Sequence, residues 1–276
     1  MQLNLFEQKS EIEPDKKLLY DLFQAYYNAR KNKRNTKSAL SFEQGYEHKL
    51  FELYQDIKSR NYEIKPSICF INYSPVQREI FAAHFRDRVV HHLVYNYISP
   101  IFERVFIHDS YSCRTGKGTS YGIKRIDKFI RSCSNNYKTD CYILRLDIKG
   151  YFMAINRQLL FDKTIQILEK YRVRNFKNEK GDITKWSDVF CFDTVYYLLK
   201  QIIFNDPTDN FIRKGRIENW DGLPPSKSLF YSKQGCGLPI GNLTLNYLAI
   251  FFSMNLIIGL RIVYNANITA GMLMIL

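Results

Sequence analysis

The stretch that most restricts the fold is Tyr142-Ile143-Leu144-Arg145-Leu146-Asp147, an apolar run that ends in a carboxylate. A short turn follows it, and helical spacing resumes from about Arg157 to Arg172. So apolar a run is expected as a buried strand, where a carboxylate costs free energy unless it meets a cation or hydrogen-bond donors. A salt bridge to an arginine and a bound divalent ion both satisfy that demand, and the run alone does not choose between them.

The rest of the chain supplies material for a sheet and several helices. At 276 residues with 46% apolar content it can bury one large core or two modest ones. Leu18, Leu19, Leu22, Phe23 and Tyr26 recur at helical spacing ahead of the basic run from Arg30 to Lys37, and a second helix is expected from about Phe42 to Arg60. The basic run reads equally as a phosphate-binding surface or a solvated loop. Tyr62 to Tyr73 has strand alternation punctuated by Pro66 and Pro75, and a helix is expected over about Ser120 to Cys133. Asn175 to Asp188 reads as a loop, Val189 to Phe204 as a helix, and Asp206 to Lys233 as irregular.

Charge and cysteine usage narrow the function classes. Lysine and arginine number 40 against 27 acidic residues, a formal charge of +13, with a pI near 9.3. That balance favours a polyanion, either nucleic acid or an anionic membrane surface. The 20 Tyr and 20 Phe serve core packing first, although aromatics among basic side chains also suit stacking on unpaired bases. Six scattered cysteines form no Cys-x-x-Cys pair, which argues against zinc. Met1 to Lys17 is polar and acidic rather than a leader, so the expectation is a reduced cytoplasmic protein with free thiols. Gly116-Lys117-Gly118 lacks the spacing of an ATPase phosphate loop but lets backbone approach a nucleic-acid phosphate.

Three stretches, in order, resemble reverse transcriptases. Leu146-Asp147-Ile148-Lys149-Gly150-Tyr151-Phe152 is similar to the family's first catalytic motif, an aspartate followed five positions later by a bulky aromatic. Gln77-Arg78-Glu79-Ile80 through Arg86-Asp87-Arg88 to His92, continuing to Arg114-Thr115-Gly116-Lys117-Gly118, resembles the fingers motif of bacterial and intron-encoded members. Gly237-Leu238-Pro239-Ile240-Gly241-Asn242-Leu243-Thr244 resembles the motif beneath the templating pair, with Ile240 where glutamine is usual. That exchange, with Leu223 to Phe230 upstream, points to the diversity-generating retroelement branch, in which an aliphatic residue there goes with looser nucleotide selection.

The resemblance implies an α+β right-hand polymerase architecture, RNA-directed DNA synthesis from dNTPs on an RNA template with a DNA or RNA primer, and two Mg2+ ions. It implies Asp147 as catalytic carboxylate, with Asp147 and the Ile148 carbonyl on the metal. Phe152 would block a ribose 2′-hydroxyl, Arg78 would meet the triphosphate, and Ile240 and Gly241 would lie under the nucleotide. Arg86, Arg88, Arg114 and Lys117 would contact nucleic acid. A small basic accessory protein is a further implied partner, and a membrane is not.

The pattern breaks after Thr244. No carboxylate occurs after Asp221, where the family would supply S-Q, a helix and a Y-x-D-D hairpin. The apolar tail is interrupted by Asn246, Ser253 and Asn255 and followed by Arg261, which is poor for spanning a bilayer. Back-translation one nucleotide earlier forces an aspartate codon across Met274 and Ile275, and Met272 to Leu276 can spell Y-V-D-D-F in that phase. Residues 245 to 260 can likewise spell S-Q followed by an amphipathic helix. A frameshift near Thr244 is therefore expected. The expected layout is a helical and basic extension over 1–40, fingers over 41–140, a partial palm over 141–244, no thumb, and an out-of-frame tail over 245–276. Such a chain should be catalytically inactive and its tail exposed and sticky. A retron, group II intron or abortive-infection reverse transcriptase is the near alternative, and a non-catalytic RNA-binding remnant the distant one.

Overall fold

The computed structural model describes residues 14–31, 33–143, 147–177 and 181–263. The chain is mixed α and β, with helices around a large core and a small sheet to one side. Its centre is helix α4 (Phe85–Phe102), in which Val89, Val90, Leu93, Val94, Ile98, Ile101 and Phe102 are all fully buried. A helix that is apolar on so many sides needs neighbours all round. Helix α1 (Pro14–Arg30) supplies one wall through Leu22, Ala25, Tyr26 and Ala29, and Tyr26 stacks on Tyr46 at 4.7 Å.

The helix expected from Phe42 to Arg60 is two helices, α2 (Lys37–Glu43) and α3 (Tyr46–Lys58). Gly45, in the left-handed conformation at φ +69°, makes the break. The basic run between α1 and α2 is an exposed turn wherever it is described; Arg30 at its edge pairs with Glu43, and Asn32 lies outside the described residues.

The small sheet has the order β2-β1-β5. Strands β1 (Ser67–Asn72) and β2 (Arg78–Ala82) pair antiparallel with Cys69 opposite Phe81 and Asn72 opposite Arg78. Helix α5 (Thr119–Cys133) follows α4 through the Gly-Lys-Gly turn. A short helix α6 (Tyr151–Ala154) leads into α7 (Arg157–Arg172), where the Asn156 side chain caps the start by accepting the Leu159 N–H at 2.8 Å. The expected loop over 175–188 instead contains a hairpin of β3 (Asn175–Lys177) and β4 (Ile183–Lys185), closed by Phe176 stacked on Trp186 at 3.8 Å. Helix α8 (Phe192–Phe204) starts slightly later than expected, and strand β5 (Phe211–Arg213), within the stretch expected to be irregular, pairs parallel with β1.

Two expectations are corrected. Tyr142 and Ile143 belong to no strand and are 91% and 70% exposed, and Asp147 is also exposed, while Leu144–Leu146 lie outside the described residues. A strand needs adjacent strands to satisfy its backbone, and none among the described residues flanks these two positions. The tail, expected to be exposed, is in its first turns the reverse. Helix α9 (Leu243–Val263) runs across position 244, and Leu245, Tyr247, Leu248, Ala249, Ile250, Phe251 and Met254 are buried in the main core. The Tyr247 ring sits among Tyr95, Phe102 and Phe106. Residues 264–276, which include the Y-V-D-D-F positions, lie outside the described residues. Among the described residues no helix is long and apolar enough to cross a membrane.

Candidate functional site

Strand β2 alternates, with Glu79 and Phe81 buried and Arg78, Ile80 and Ala82 on the other, half-buried face. Its outer edge is covered by the backbone of the Gly237–Thr244 stretch. The Phe81 N–H donates to the Ile240 carbonyl at 2.9 Å, and the Ala83 N–H donates to the Asn242 side-chain oxygen at 3.1 Å. Gly241 makes this approach possible: its φ is +123°, and a Cβ there would lie 2.9 Å from Ile80 Cγ2 and 3.2 Å from the Phe81 carbonyl.

The other side of the same stretch is fastened to the turn around α6. The Leu238 N–H donates to the Phe152 carbonyl and the Gly237 N–H to the Ile155 carbonyl, both at 2.9 Å. Arg157, almost fully buried, donates to the Gly237 carbonyl at 2.7 Å and to Asp206 at 2.9 Å. Phe152 and Ile240 then pack round a small core of Cys69, Phe81, Met153 and Leu229. Thus Arg78, Phe152, Ile240 and Gly241, distant in sequence, are carried on three segments bound to one another by backbone hydrogen bonds.

Sequence reasoning missed the residue that anchors this junction. Glu79 is 1% exposed and accepts from Trp220 Nε1 at 2.7 Å, Ser228 Oγ at 3.0 Å and the Leu229 N–H at 2.7 Å. Three donors meet the demand of a buried carboxylate without a cation. The available signal was the alternation of β2, which places Glu79 on the same face as Phe81. Burial, with the Glu79 charge nearby, pushes the Cys69 thiol up to about 12.

Asp147 has a different setting. It is exposed, and the Ile148 carbonyl accepts the Tyr151 N–H at 3.2 Å within the turn that leads to α6. Gly150, at φ +63°, closes that turn against the Ser226 carbonyl, which a Cβ would approach to 2.8 Å. No group of three or more His, Cys, Asp or Glu able to hold a metal ion occurs among the described residues.

The four basic residues expected on nucleic acid divide into two kinds. Arg86 pairs with Asp56, donates to the Glu63 carbonyl at 3.1 Å and lies over the Tyr62 ring. Arg114 is nine-tenths buried and donates to Glu103 at 2.8 and 2.9 Å, to the Ile107 carbonyl at 2.8 Å and to the Ser110 carbonyl at 3.0 Å. Both are committed to holding loops. Lys117 reaches the His108 carbonyl from the rim of a cleft of about 540 Å³, lined also by Tyr95, Ser112, Thr115 and Thr119. Arg88 is half-buried and enters no ion pair among the described residues; burial draws its pKa down. Burial and neighbouring positive charge also lower His91 to about 3 and His92 to about 4. A second cleft, of about 480 Å³, is lined by Ser38, Lys49, Lys65, His84 and Arg86, and neither cleft includes Asp147, Phe152 or Ile240.

Neither a scan of protein-family models nor a search of curated proteins finds a match for this chain.

Proposed function

We propose that this chain comprises the fingers and partial palm of a reverse transcriptase of the diversity-generating retroelement type, and that it binds an RNA template with its primer without extending it. The observation that supports this most is the meeting of three segments that resemble the family separately. Arg78 on β2, Phe152 on α6 and Ile240-Gly241 are joined through the Phe81–Ile240 and Phe152–Leu238 backbone hydrogen bonds. In this reading a dNTP base lies over Ile240-Gly241, its sugar meets Phe152 and its triphosphate meets Arg78. Ile240 offers no amide to hydrogen-bond near that base, so selection would rest on shape and pairing alone. The reading of inactivity rests on the sequence: two-ion phosphoryl transfer needs several carboxylates, and no Asp or Glu follows Asp221, where the family would supply its second pair. The cause proposed for their loss is a frameshift near the Thr244 codon.

Template binding and primer extension on poly(rA)/oligo(dT), measured on the purified chain, test both halves. Binding that weakens steeply with salt, together with no incorporation in Mg2+, is the expected result. Robust Mg2+-dependent incorporation would overturn the inactivity, and a failure to bind any template-primer would overturn the nucleic-acid reading altogether. Sequencing the locus tests the frameshift, which is abandoned if no Y-x-D-D is found in the neighbouring phase.

A further inference from the structure

Helix α4 runs through the centre of the core, so the few of its residues that solvent reaches are informative. Apart from Arg86, which Asp56 holds, and Pro100 near the end, these are Arg88, His92, Tyr95, Asn96 and Ser99. All five are polar, and their helical spacing places them on one stripe. Helix α1 packs along one side of this stripe, with Tyr26 against Phe85 at 6.2 Å and Tyr97 donating to Asp21 at 2.6 Å. Helix α9 packs along the other, with Thr244 donating to the His91 carbonyl at 2.7 Å and Tyr247 against Tyr95 at 5.0 Å. The stripe is therefore the half-open floor between two helices.

Polar groups on a core helix cost free energy unless something bonds to them. Arg88 shows this most clearly, since its guanidinium is half-buried and enters no ion pair among the described residues. At Tyr95 the stripe meets the cleft of about 540 Å³, whose walls carry the hydroxyls of Ser112, Thr115 and Thr119 and the ammonium of Lys117. Lys117 uses one of its three donors on the His108 carbonyl. Among the described residues no Asp or Glu belongs to the stripe or lines the cleft. We propose that the stripe and the cleft together hold the backbone of an RNA strand, with phosphates on Arg88 and Lys117 and ribose 2′-hydroxyls on the hydroxyl-bearing side chains of the cleft.

This rests on the nucleic-acid reading above and adds to it a route and a preference. Arg88 and Lys117 neutralise phosphates whatever the sugar, so they give affinity without telling RNA from DNA. A side-chain hydroxyl both donates to and accepts from a 2′-hydroxyl, which deoxyribose lacks. From Arg88 to Tyr95 the helix rises about 10 Å, the length of about three nucleotides in one strand of a duplex. The route begins beside the proposed nucleotide position, because Asn242 and Thr244, just past Ile240-Gly241, bond to Ala83 and His91 where α4 starts.

The test measures binding of the full-length chain to poly(rA)/oligo(dT) and to poly(dA)/oligo(dT) over a range of salt. The RNA template should bind roughly tenfold tighter, about the value of one good hydrogen bond to ribose. Arg88→Gln should weaken both polymers alike and lower the salt slope by about one. Its urea midpoint should not fall, because Arg88 has no ion pair among the described residues to lose. Lys163→Gln, which removes an exposed cation on α7, should leave the slope as it was. Ser112→Ala with Thr119→Val should abolish the preference for RNA at an unchanged slope. Equal affinity for the two polymers, an unchanged slope in Arg88→Gln, or an RNA preference that survives the loss of both hydroxyls would each overturn the proposal and leave the nucleic-acid reading standing. Binding to neither polymer would overturn both.

Discussion

Strand β2 and the segment from Tyr142 to Gly150 each carry one carboxylate next to apolar residues, yet the two have opposite fates. Glu79 is buried with three donors on its oxygens, while Asp147 is exposed beyond two residues, Tyr142 and Ile143, that face solvent. The difference lies in what each segment finds beside it. Strand β2 has β1 on one edge and the Phe81–Ile240 contact on the other, and the 3₁₀ turns near Trp220 and Leu229 bring donors to Glu79. Tyr142 and Ile143 have no such neighbours among the described residues. An apolar run with a terminal carboxylate is thus a conditional instruction, whose outcome is set by chain elsewhere.

The comparison can be broken most directly at Glu79. Glu79→Ala should cost about 3–5 kcal/mol in urea unfolding, because two buried donors and one part-buried donor lose their acceptor together. Gly241→Ala should follow at about 2 kcal/mol, since it forces a side chain into positive φ against Ile80 and the Phe81 carbonyl. It should also weaken template-primer binding if the junction is the nucleotide site.

His91 sharpens the same lesson, because its Nδ1 is buried without a hydrogen-bond partner among the described residues. Its folded pKa is lowered to about 3, against an ordinary value of 6.5, so below about pH 6.5 the unfolded chain takes up a proton that the folded chain refuses. Stability is therefore full above that pH and lost on acidification towards pH 3. His91→Leu should change stability by only about 1 kcal/mol at pH 8, yet make the fall between pH 7 and pH 5 visibly shallower; an unchanged pH profile would exclude this account. The smallest effect is expected at Asp147, where Asp147→Asn should stay within about 0.5 kcal/mol, as for an exposed residue with no hydrogen bond or ion pair among the described residues. A cost for Asp147→Asn equal to that of Glu79→Ala would dissolve the contrast.

Much of the helical part was legible because helices are specified locally. Helix α7 spans the expected Arg157 to Arg172, and α5 begins within one residue of expectation. The sheet was less so. Strand β5 is only three residues and exists because β1, far back in the chain, pairs with it. At Tyr142 and Ile143 the expected strand failed for the same reason in reverse. Of the candidate site, Arg78, Phe152, Ile240 and Gly241 were named from sequence and are brought together, whereas Glu79 was passed over because a single charged residue in a strand gives no hint of donors lying some 140 to 150 positions away. Arg86 and Arg114 look like any other basic residues until their internal partners are known.

Helix α9 has a consequence for the order in which the molecule is made. The faces of α4 that it covers, where Thr244 donates to the His91 carbonyl and Tyr247 meets Phe102, are synthesised well over a hundred residues before their cover. At ordinary ribosomal speeds that gap is on the order of ten seconds. Throughout it the nascent chain presents an apolar helix with one side open, so chaperone capture and degradation compete with folding until α9 arrives.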